Sequence, residues 1–179
     1  VLSPYDSCRL MLVNLTSFVK NSWKENSEFN WGHFAEVTKK AQRLMDDMID
    51  LEIEQINKIL TKISNDPEPA AVKQIEKDMW LNILKAAETG RRTGLGITGL
   101  GDALAMMGLH YGSDDSIKVT EEIYKWLALN SYESSIQLAK ERGAFPIWDF
   151  KREEGHPFLS RVIECLIPER IDDYKKHGR

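Results

Sequence analysis

Three glycines and two cysteines are the residues whose types and spacing could support chemistry in this chain. Gly94, Gly96 and Gly99 have the spacing G-x-G-x-x-G, which in many enzymes forms a turn beneath a dinucleotide pyrophosphate. That fingerprint needs a hydrophobic strand before the first glycine and a second strand downstream. Here predicted helices precede and follow the glycines, which disfavours dinucleotide binding. The sequence favours a buried strand at 95–98, where glycines let a backbone or a ligand approach closely.

The two cysteines, Cys8 and Cys165, lie in different contexts and far apart in the sequence. In a reducing compartment we expect no permanent bridge between them, and a free cysteine is usually a small buried hydrophobic residue. Cys8, however, begins a predicted buried strand just after a turn, where α/β enzymes place functional side chains at the edge of a cavity. A redox role would require a partner thiol within disulfide reach. We therefore treat Cys8 as a candidate site residue and Cys165 as structural.

The acidic segment MDDMIDLEIE is the other group of potential ligands. Asp46, Asp50 and Glu54 recur every four residues and so share one helical face. A di-iron helical bundle would also need Glu-x-x-His pairs, and the sequence contains none. We predict a solvated acidic face and no metal site. The histidines have no metal-ligand spacing and are predicted to be surface or packing residues: His33, His110, His156 and His177.

Helical periodicity dominates the rest of the sequence. Apolar residues recur every three or four positions from 31 to 64, with at most one break, before NDPEP ends the helix. Ser113 is a suitable N-cap for a helix that Gly143 closes, and Gly90 a suitable C-cap for another. The predicted elements are strands at 8–15 and 95–98, helices at 31–64, 70–89, 102–107 and 114–142, and a C-terminal loop with one or two short helices.

Bulk composition limits the classes of partner and compartment. The 179 residues are 42% hydrophobic and 29% charged, with a formal net charge of −4. An acidic chain without a basic run is not expected to bind nucleic acid or an anionic membrane. Neither an apolar run of about 18 residues nor a signal-peptide layout occurs, so a cytoplasmic location is expected. Two apolar strands cannot close a sheet, and such strands normally lie in helix-covered parallel sheets, which indicates a segment of a larger α/β architecture.

Three motifs in order, SPYDSCRLMLVNL, RRTGLGITGLGDALAMMGLHYGSDD and LAKERGAFPIWD, resemble the large catalytic subunit of ribonucleotide reductase. The similarity is greatest to the adenosylcobalamin-dependent class II. The resemblance implies an α/β fold: a segment of a ten-stranded α/β barrel, mostly helical, with two or three buried strands. Residues 1–179 would then form a single partial domain with no complete domain boundary inside the chain.

The resemblance also implies roles for individual residues. Cys8 would be one of two thiols that reduce the ribonucleotide and become a disulfide, Leu10 would line the substrate cavity, and Gly96 and Gly99 would lie beside the nucleotide. The radical cysteine belongs to an Asn-x-Cys-x-Glu motif expected just upstream, so this chain alone is expected to be inactive. The implied cofactors are adenosylcobalamin and a thiol reductant. The implied partners are a thioredoxin-like protein, the ribonucleotide and the remaining segments of the reductase.

Two alternatives stay open at the level of sequence. One is a non-catalytic helical interaction module that retains the reductase scaffold. The other concerns the radical source, because class I reductases use a separate metal-containing subunit where class II enzymes use cobalamin. The residues that would decide between these classes, or between di- and triphosphate substrates, are not among the motifs quoted above.

Overall fold

The computed structural model describes residues 2–179, and helices make up most of them. The strands are β1 (Arg9–Asn14), β2 (Val19–Lys20), β3 (Glu28–Phe29) and β4 (Thr93–Thr98). The helices are α1 (Trp31–Asn65), α2 (Ala70–Gly90), α3 (Leu100–Met106), α4 (Asp114–Arg142), α5 (Phe150–Glu153), α6 (Pro157–Leu159) and α7 (Ile171–His177). None of the described helices combines the length and apolarity that a membrane crossing requires.

Helix α1 is the longest element and runs without a break over 35 residues. It begins where the Asn30 side chain accepts a hydrogen bond from the backbone N–H of His33 at 3.4 Å. It ends at Asn65, because Asp66 is extended ahead of Pro67, as expected for a residue before proline. The end predicted at NDPEP is confirmed, and the break that the pattern allowed does not occur.

Strands β1 and β4 pair in parallel, with Arg9 opposite Thr93 and Asn14 opposite Thr98. Both predicted strands are therefore confirmed, with bounds shifted by one or two residues. Side chains alternate in direction along a strand. Met11 and Val13 of β1 face the core with Leu95 and Ile97 of β4, whereas Leu10 and Leu12 are exposed.

The prediction that these strands are buried on both faces is wrong for the described residues. Helix α1 packs on β1 and β4, and β4 residues join the core cluster that also contains Leu127 of α4, but this covers one face of the pair only. Two small sheets are present in residues 2–179, the β1–β4 pair and an antiparallel β2–β3 pair, and neither closes into a barrel. The class is α/β and mostly helical, as predicted.

An aromatic cluster fills the core between the β2–β3 pair and α1. The ring of Phe34, fully buried on α1, lies 5.2 Å from that of Phe18 and 5.4 Å from that of Phe29, both edge to face. Each strand of this hairpin is only two residues long, too short to show an alternating pattern. Strands β2 and β3 are therefore not predictable from an alternating pattern.

The caps of α2 and α4 test the sequence signals directly. Ser113 caps α4 by accepting a hydrogen bond from Ser116 N–H at 3.3 Å, and Gly143 ends it with a φ of 88°, as predicted. Gly90 is not the C-cap of α2, because the helix includes it and Arg91 takes the left-handed conformation, with a φ of 41°. A non-glycine residue tolerates this conformation only when other contacts hold it.

The C-terminal segment is helical rather than a loop with one or two short helices, and that prediction is wrong. A π-helical turn at Ser160–Leu166 and a 3-10 turn at Pro168–Arg170 link α6 to α7. Pro157 and Pro168 occupy first helical positions, where proline is favoured, so Pro157 begins α6 and Pro168 begins the 3-10 turn. The segment builds a second core against Ile136 of α4, formed by Leu159, Val162, Ile163, Ile167 and Tyr174.

Glu153 joins the parts of this C-terminal segment. Its carboxylate accepts hydrogen bonds from Trp148 Nε1 at 2.9 Å, from the Tyr174 hydroxyl at 2.8 Å and from the Arg179 guanidinium at 2.6 Å. Burial alone would raise the pKa of Glu153, but the hydrogen bonds from Arg179, Tyr174 and Trp148 outweigh it and hold the pKa below its usual value. The charged form of Glu153 therefore stabilises the folded chain.

Replacing Glu153 with Gln should reduce the free energy of unfolding at pH 7 by about 2–3 kcal/mol, because charge-assisted hydrogen bonds to a largely buried group are lost. A carboxyl group with a lowered folded-state pKa stabilises above its unfolded-state pKa and loses that effect as the pH falls. The difference in free energy of unfolding between wild type and Glu153→Gln, measured with urea, should therefore become smaller below about pH 4.3.

The exposed neighbour Glu154 provides the matched control, and Glu154→Gln should change stability by no more than about 0.5 kcal/mol. A gap between wild type and Glu153→Gln that is as large at pH 3 as at pH 7 would contradict the electrostatic explanation.

Candidate active site around Cys8

The half-buried Cys8 lies immediately before β1, and its thiol rests over the backbone of β4. A Cβ atom added to Gly94 would lie 3.1 Å from Cys8 Sγ and 2.5 Å from Leu10 Cδ2. Contacts this short require a neighbour to move, so a side chain at position 94 would disturb both residues. Because Gly94 has no side chain, the Cys8 thiol can lie close against β4.

The Cys8 face is the surface formed by Cys8, Leu10 and Leu12 together with Gly94 and Gly96. It is the side of the β1–β4 pair that α1 does not cover, and Leu10 and Leu12 are 73% and 62% exposed on it. A Cβ atom on Gly96 would lie 2.8 Å from Leu12 Cδ2. The structure therefore brings the candidate residues Cys8, Leu10 and Gly96 to one open face. The side chains of Leu10 and Leu12 lie over Gly94 and Gly96, where the absence of a Cβ makes room for them.

Gly99 lies at the other end of β4, five residues beyond Gly94 or about 16 Å along a strand. It precedes α3 with a φ of 72°, and an added Cβ would lie 2.7 Å from Asn14 Oδ1. That oxygen accepts hydrogen bonds from Thr16 N–H at 3.2 Å and from Thr16 Oγ1 at 2.9 Å. The turn itself therefore requires glycine here, independently of any ligand.

Two ion pairs flank Cys8 in the sequence. Asp6, whose side chain is 3% exposed, pairs with Arg92, and Arg9, whose side chain is 6% exposed, pairs with Glu52 on α1. Arg9 also donates from Nη1 to the Ser7 carbonyl at 2.9 Å. Sequence reasoning missed these pairs, because their partners lie more than forty positions apart and charged residues at the start of a strand carry no periodic signal.

The acidic face on α1 is not simply solvated, so that prediction is wrong for Asp46. Its carboxylate pairs with Arg91 and Arg142, each at 2.7 Å, and Arg91 also pairs with Asp50 at 2.8 Å. Burial disfavours the charged form of Arg91, but hydrogen bonds to both aspartates raise the pKa of Arg91 above its usual value. Glu54 is exposed, as predicted.

The same cluster accounts for the only group of potential metal ligands in residues 2–179, which consists of Asp46, Asp47 and Asp50. Asp47 also has a positively charged partner, because it accepts a hydrogen bond from Arg142 at 2.7 Å. Two guanidinium groups already balance these three carboxylates. The arrangement is that of an ion-pair network joining α1, α4 and the end of α2, and we assign no metal to it.

Cys165 lies in the π-helical turn of the C-terminal segment, and a large cavity borders the core side of β4. Cys165 is exposed, which corrects the expectation that it is a buried thiol. The cavity has a volume of about 930 Å³ and borders Thr93 and Leu95, whose side chains point to the core side of β4. None of the candidate residues lines it.

Replacing Gly99 with Ala should destabilise the chain by at least about 1–2 kcal/mol, because a Cβ is strained in the left-handed conformation and would meet Asn14 Oδ1. Thermal unfolding followed by circular dichroism measures this effect. Gly101→Ala is the control: it lies in α3 with nothing within 4 Å of an added Cβ, and helix propensity favours Ala there by about 1 kcal/mol. Equal melting temperatures for the two variants would contradict the requirement for glycine at position 99.

Comparison with known proteins adds an independent line of evidence. Residues 1–163 match the family model described as ribonucleotide reductase, barrel domain. The vitamin B12-dependent ribonucleoside-diphosphate reductase of Mycobacterium tuberculosis (strain CDC 1551 / Oshkosh) is 28% identical over 168 residues, covering 93% of this chain and 20% of that protein. The enzyme of the same name from Thermoplasma acidophilum is 28% identical over 150 residues, covering 82% of this chain and 16% of that protein.

A shorter match involves the ribonucleoside-diphosphate reductase large subunit of African swine fever virus (isolate Tick/Malawi/Lil 20-1/1983), at 38% identity over 56 residues, 31% of this chain and 7% of that protein. The chain spans about a fifth or less of the length of these relatives. Since the family model covers 163 of the 179 residues, including both strands of the β1–β4 pair, this chain belongs to the barrel-domain family of ribonucleotide reductases.

Proposed function

We propose that this chain supplies part of the catalytic barrel of a ribonucleotide reductase and that Cys8 is one of its two reducing thiols. The observation that carries the proposal is the position of Cys8 Sγ. It lies over Gly94, on the one face of the parallel pair that the helices leave open. In a barrel built from such strands, helices cover the outside, so this open face would point inward to the substrate.

The chemistry requires a cysteine at this position. Replacing the ribose 2′-hydroxyl by hydrogen consumes two electrons and two protons, and the hydroxyl leaves as water. Cys8 and a second thiol would supply both electrons and both protons as their S–H bonds break and one S–S bond forms. A serine would fill the space but could not carry the electrons. An external dithiol of the thioredoxin type would then reduce the disulfide by thiol exchange.

Leu10 and Gly96 would contact the substrate from the same face. Leu10 is the next residue along β1 on the side of Cys8, and its exposed side chain offers an apolar surface beside the thiol. Gly96 has no side chain of its own, but the Leu12 side chain covers it, with Cδ2 2.8 Å from the position of an added Cβ, so a ligand would reach Gly96 only if Leu12 moved aside. Gly99 lies too far along the strand to share a ribose with Cys8, so its contact would be with a more distant part of the nucleotide.

Adenosylcobalamin is the radical source that we infer, because two of the relatives above are named vitamin B12-dependent reductases. When bound, it would supply the first radical of the reaction. Histidine is a common cobalt ligand, but His33 packs at 5.3 Å from the Phe18 ring, and His110 and His156 are exposed far from Cys8 in the sequence. We assign no residue of this chain to the cofactor.

The proposed partners are the other barrel segments, the ribonucleotide and a thiol reductant, and the 179 residues alone are proposed to be inactive. The relatives support a larger assembly, because this chain aligns with about a fifth or less of their length. Mixing the purified chain with adenosylcobalamin, a dithiol and CDP or CTP should yield no deoxyribonucleotide. Formation of product above the no-enzyme background would contradict this part of the proposal.

Cys8→Ser in a complete reductase that contains this segment should reduce dithiol-dependent turnover to background, because the substrate-reducing disulfide can no longer form. Formation of deoxycytidine nucleotide with dithiothreitol as reductant measures the effect. Cys165→Ser is the matched control and should retain wild-type turnover, since Cys165 is exposed in the C-terminal segment. Wild-type turnover by Cys8→Ser would reject the redox role and favour the non-catalytic interaction module.

A further inference from the structure

A buried ion pair connects the two strand ends that carry the Cys8 site. Asp6 lies two residues before Cys8, and Arg92 two residues before Gly94, over which the thiol rests. The Nε of Arg92 donates to Oδ2 of Asp6, whose side chain is 3% exposed, while Arg92 is 32% exposed. The pair therefore sits at the amino end of the β1–β4 pair, directly beside the Cys8 face.

Asp6 is itself fixed by its own backbone turn. Its N–H donates to the Ser3 carbonyl at 3.1 Å, and its Oδ1 accepts from Ser7 N–H at 2.9 Å. Between them Tyr5 has a φ of 63°, a left-handed conformation that a tyrosine adopts only when its surroundings hold it. The hydrogen bonds of Asp6 thus stabilise the turn that immediately precedes Cys8.

Arg92 binds a residue on each side of Cys8, using its side chain for one and its backbone for the other. Its side chain binds Asp6, and its carbonyl oxygen accepts a hydrogen bond from Arg9 N–H at 3.2 Å. Cys8 lies between these two attachment points. Arg92, immediately before β4, therefore contacts the chain on both sides of the cysteine, which restricts the position of its Cα and the direction of its Cβ.

Stability alone is a weak reason for such a pair. Removing a carboxylate from water costs several kcal/mol, and apolar residues of similar volume often stabilise a fold equally well. A disulfide, in contrast, forms only when two sulfurs approach to about 2.05 Å with a restricted dihedral angle, so the Cys8 thiol must be placed accurately. The Asp6–Arg92 pair lies where it can restrict the position of the Cys8 thiol.

We propose that Asp6 and Arg92 are positioning residues for Cys8, which fix its thiol over Gly94 for substrate reduction and disulfide formation. This inference rests on the proposed redox function of Cys8. Neither residue is assigned a contact with substrate. Arg92 acts through the Asp6 turn and through Arg9, and its effect should appear in the rate of the chemical cycle rather than in nucleotide binding.

The test uses Arg92→Gln, Arg92→Lys and Asp6→Asn in the complete reductase with dithiothreitol as reductant. Arg92→Gln should lower kcat by about ten- to a hundredfold, as expected for a misplaced reacting group, with KM for the ribonucleotide within about twofold of wild type. Arg92→Lys keeps the charge that Asp6 requires and should restore most of kcat. Asp6→Asn, which keeps the shape of the side chain, should reproduce the loss seen in Arg92→Gln.

Arg43→Gln is the matched control, because Arg43 and Glu141 form a more exposed ion pair between α1 and α4. It should leave kcat and KM unchanged. If Arg92→Gln fails to fold, Asp6→Asn alone decides: reduced kcat at constant KM supports positioning, and unchanged kcat overturns it. A lowered melting temperature with wild-type kcat in either variant would also overturn it. Wild-type turnover in Cys8→Ser would instead reject the proposed function on which this inference rests.

Discussion

The parallel pairing of β1 with β4 is the interaction on which the rest of the structure depends. Parallel strands cannot be joined by a tight turn, so the chain between them must cross over, and α1 and α2 form that crossover. The crossover returns α1 to one face of the pair, where it meets Met11, Val13, Leu95 and Ile97. The opposite face is left to Cys8, the two leucines and the glycines. The position of the thiol is thus a direct result of how the strands are connected.

Arginine residues join the elements around this pair. Arg9 connects β1 to α1, Arg92 connects the start of β4 to the turn before β1, and Arg91 connects the end of α2 to the acidic face of α1. Each of these pairs has one partner with little solvent exposure, so its hydrogen bonds are not screened as surface pairs are. The left-handed conformation of Arg91 fits this role. A glycine would adopt that conformation more easily but could not reach Asp46 and Asp50.

The sequence predicted elements whose signals are local. The periodicity of α1, the Ser113 cap, the Gly143 end and the two strands were all correct, because each depends on residues a few positions apart. Features that depend on distant partners were missed or wrong: the arginines that pair with Asp46, the exposed side of β1, and the packed C-terminal turns behind Pro157 and Pro168. At the candidate site, the sequence and its resemblance pointed to Cys8, whose redox role stays a prediction. The contact between Gly94 and the Cys8 thiol, and the pair formed by Asp6 and Arg92, became visible only once β1 and β4 were paired.

The separation of β1 and β4 along the chain also has a kinetic consequence. Arg9 pairs with a residue more than eighty positions away, so forming this ladder closes a long loop. The entropy of loop closure is lost before the hydrogen bonds and side-chain contacts between the strands contribute favourable free energy. Helices α1 and α2 consist of local contacts and can form on a much shorter timescale. We therefore expect the ladder to form late in folding, with the Cys8 thiol more exposed until it forms. A chain that fails to complete this step would expose both a free thiol and an unpaired apolar strand.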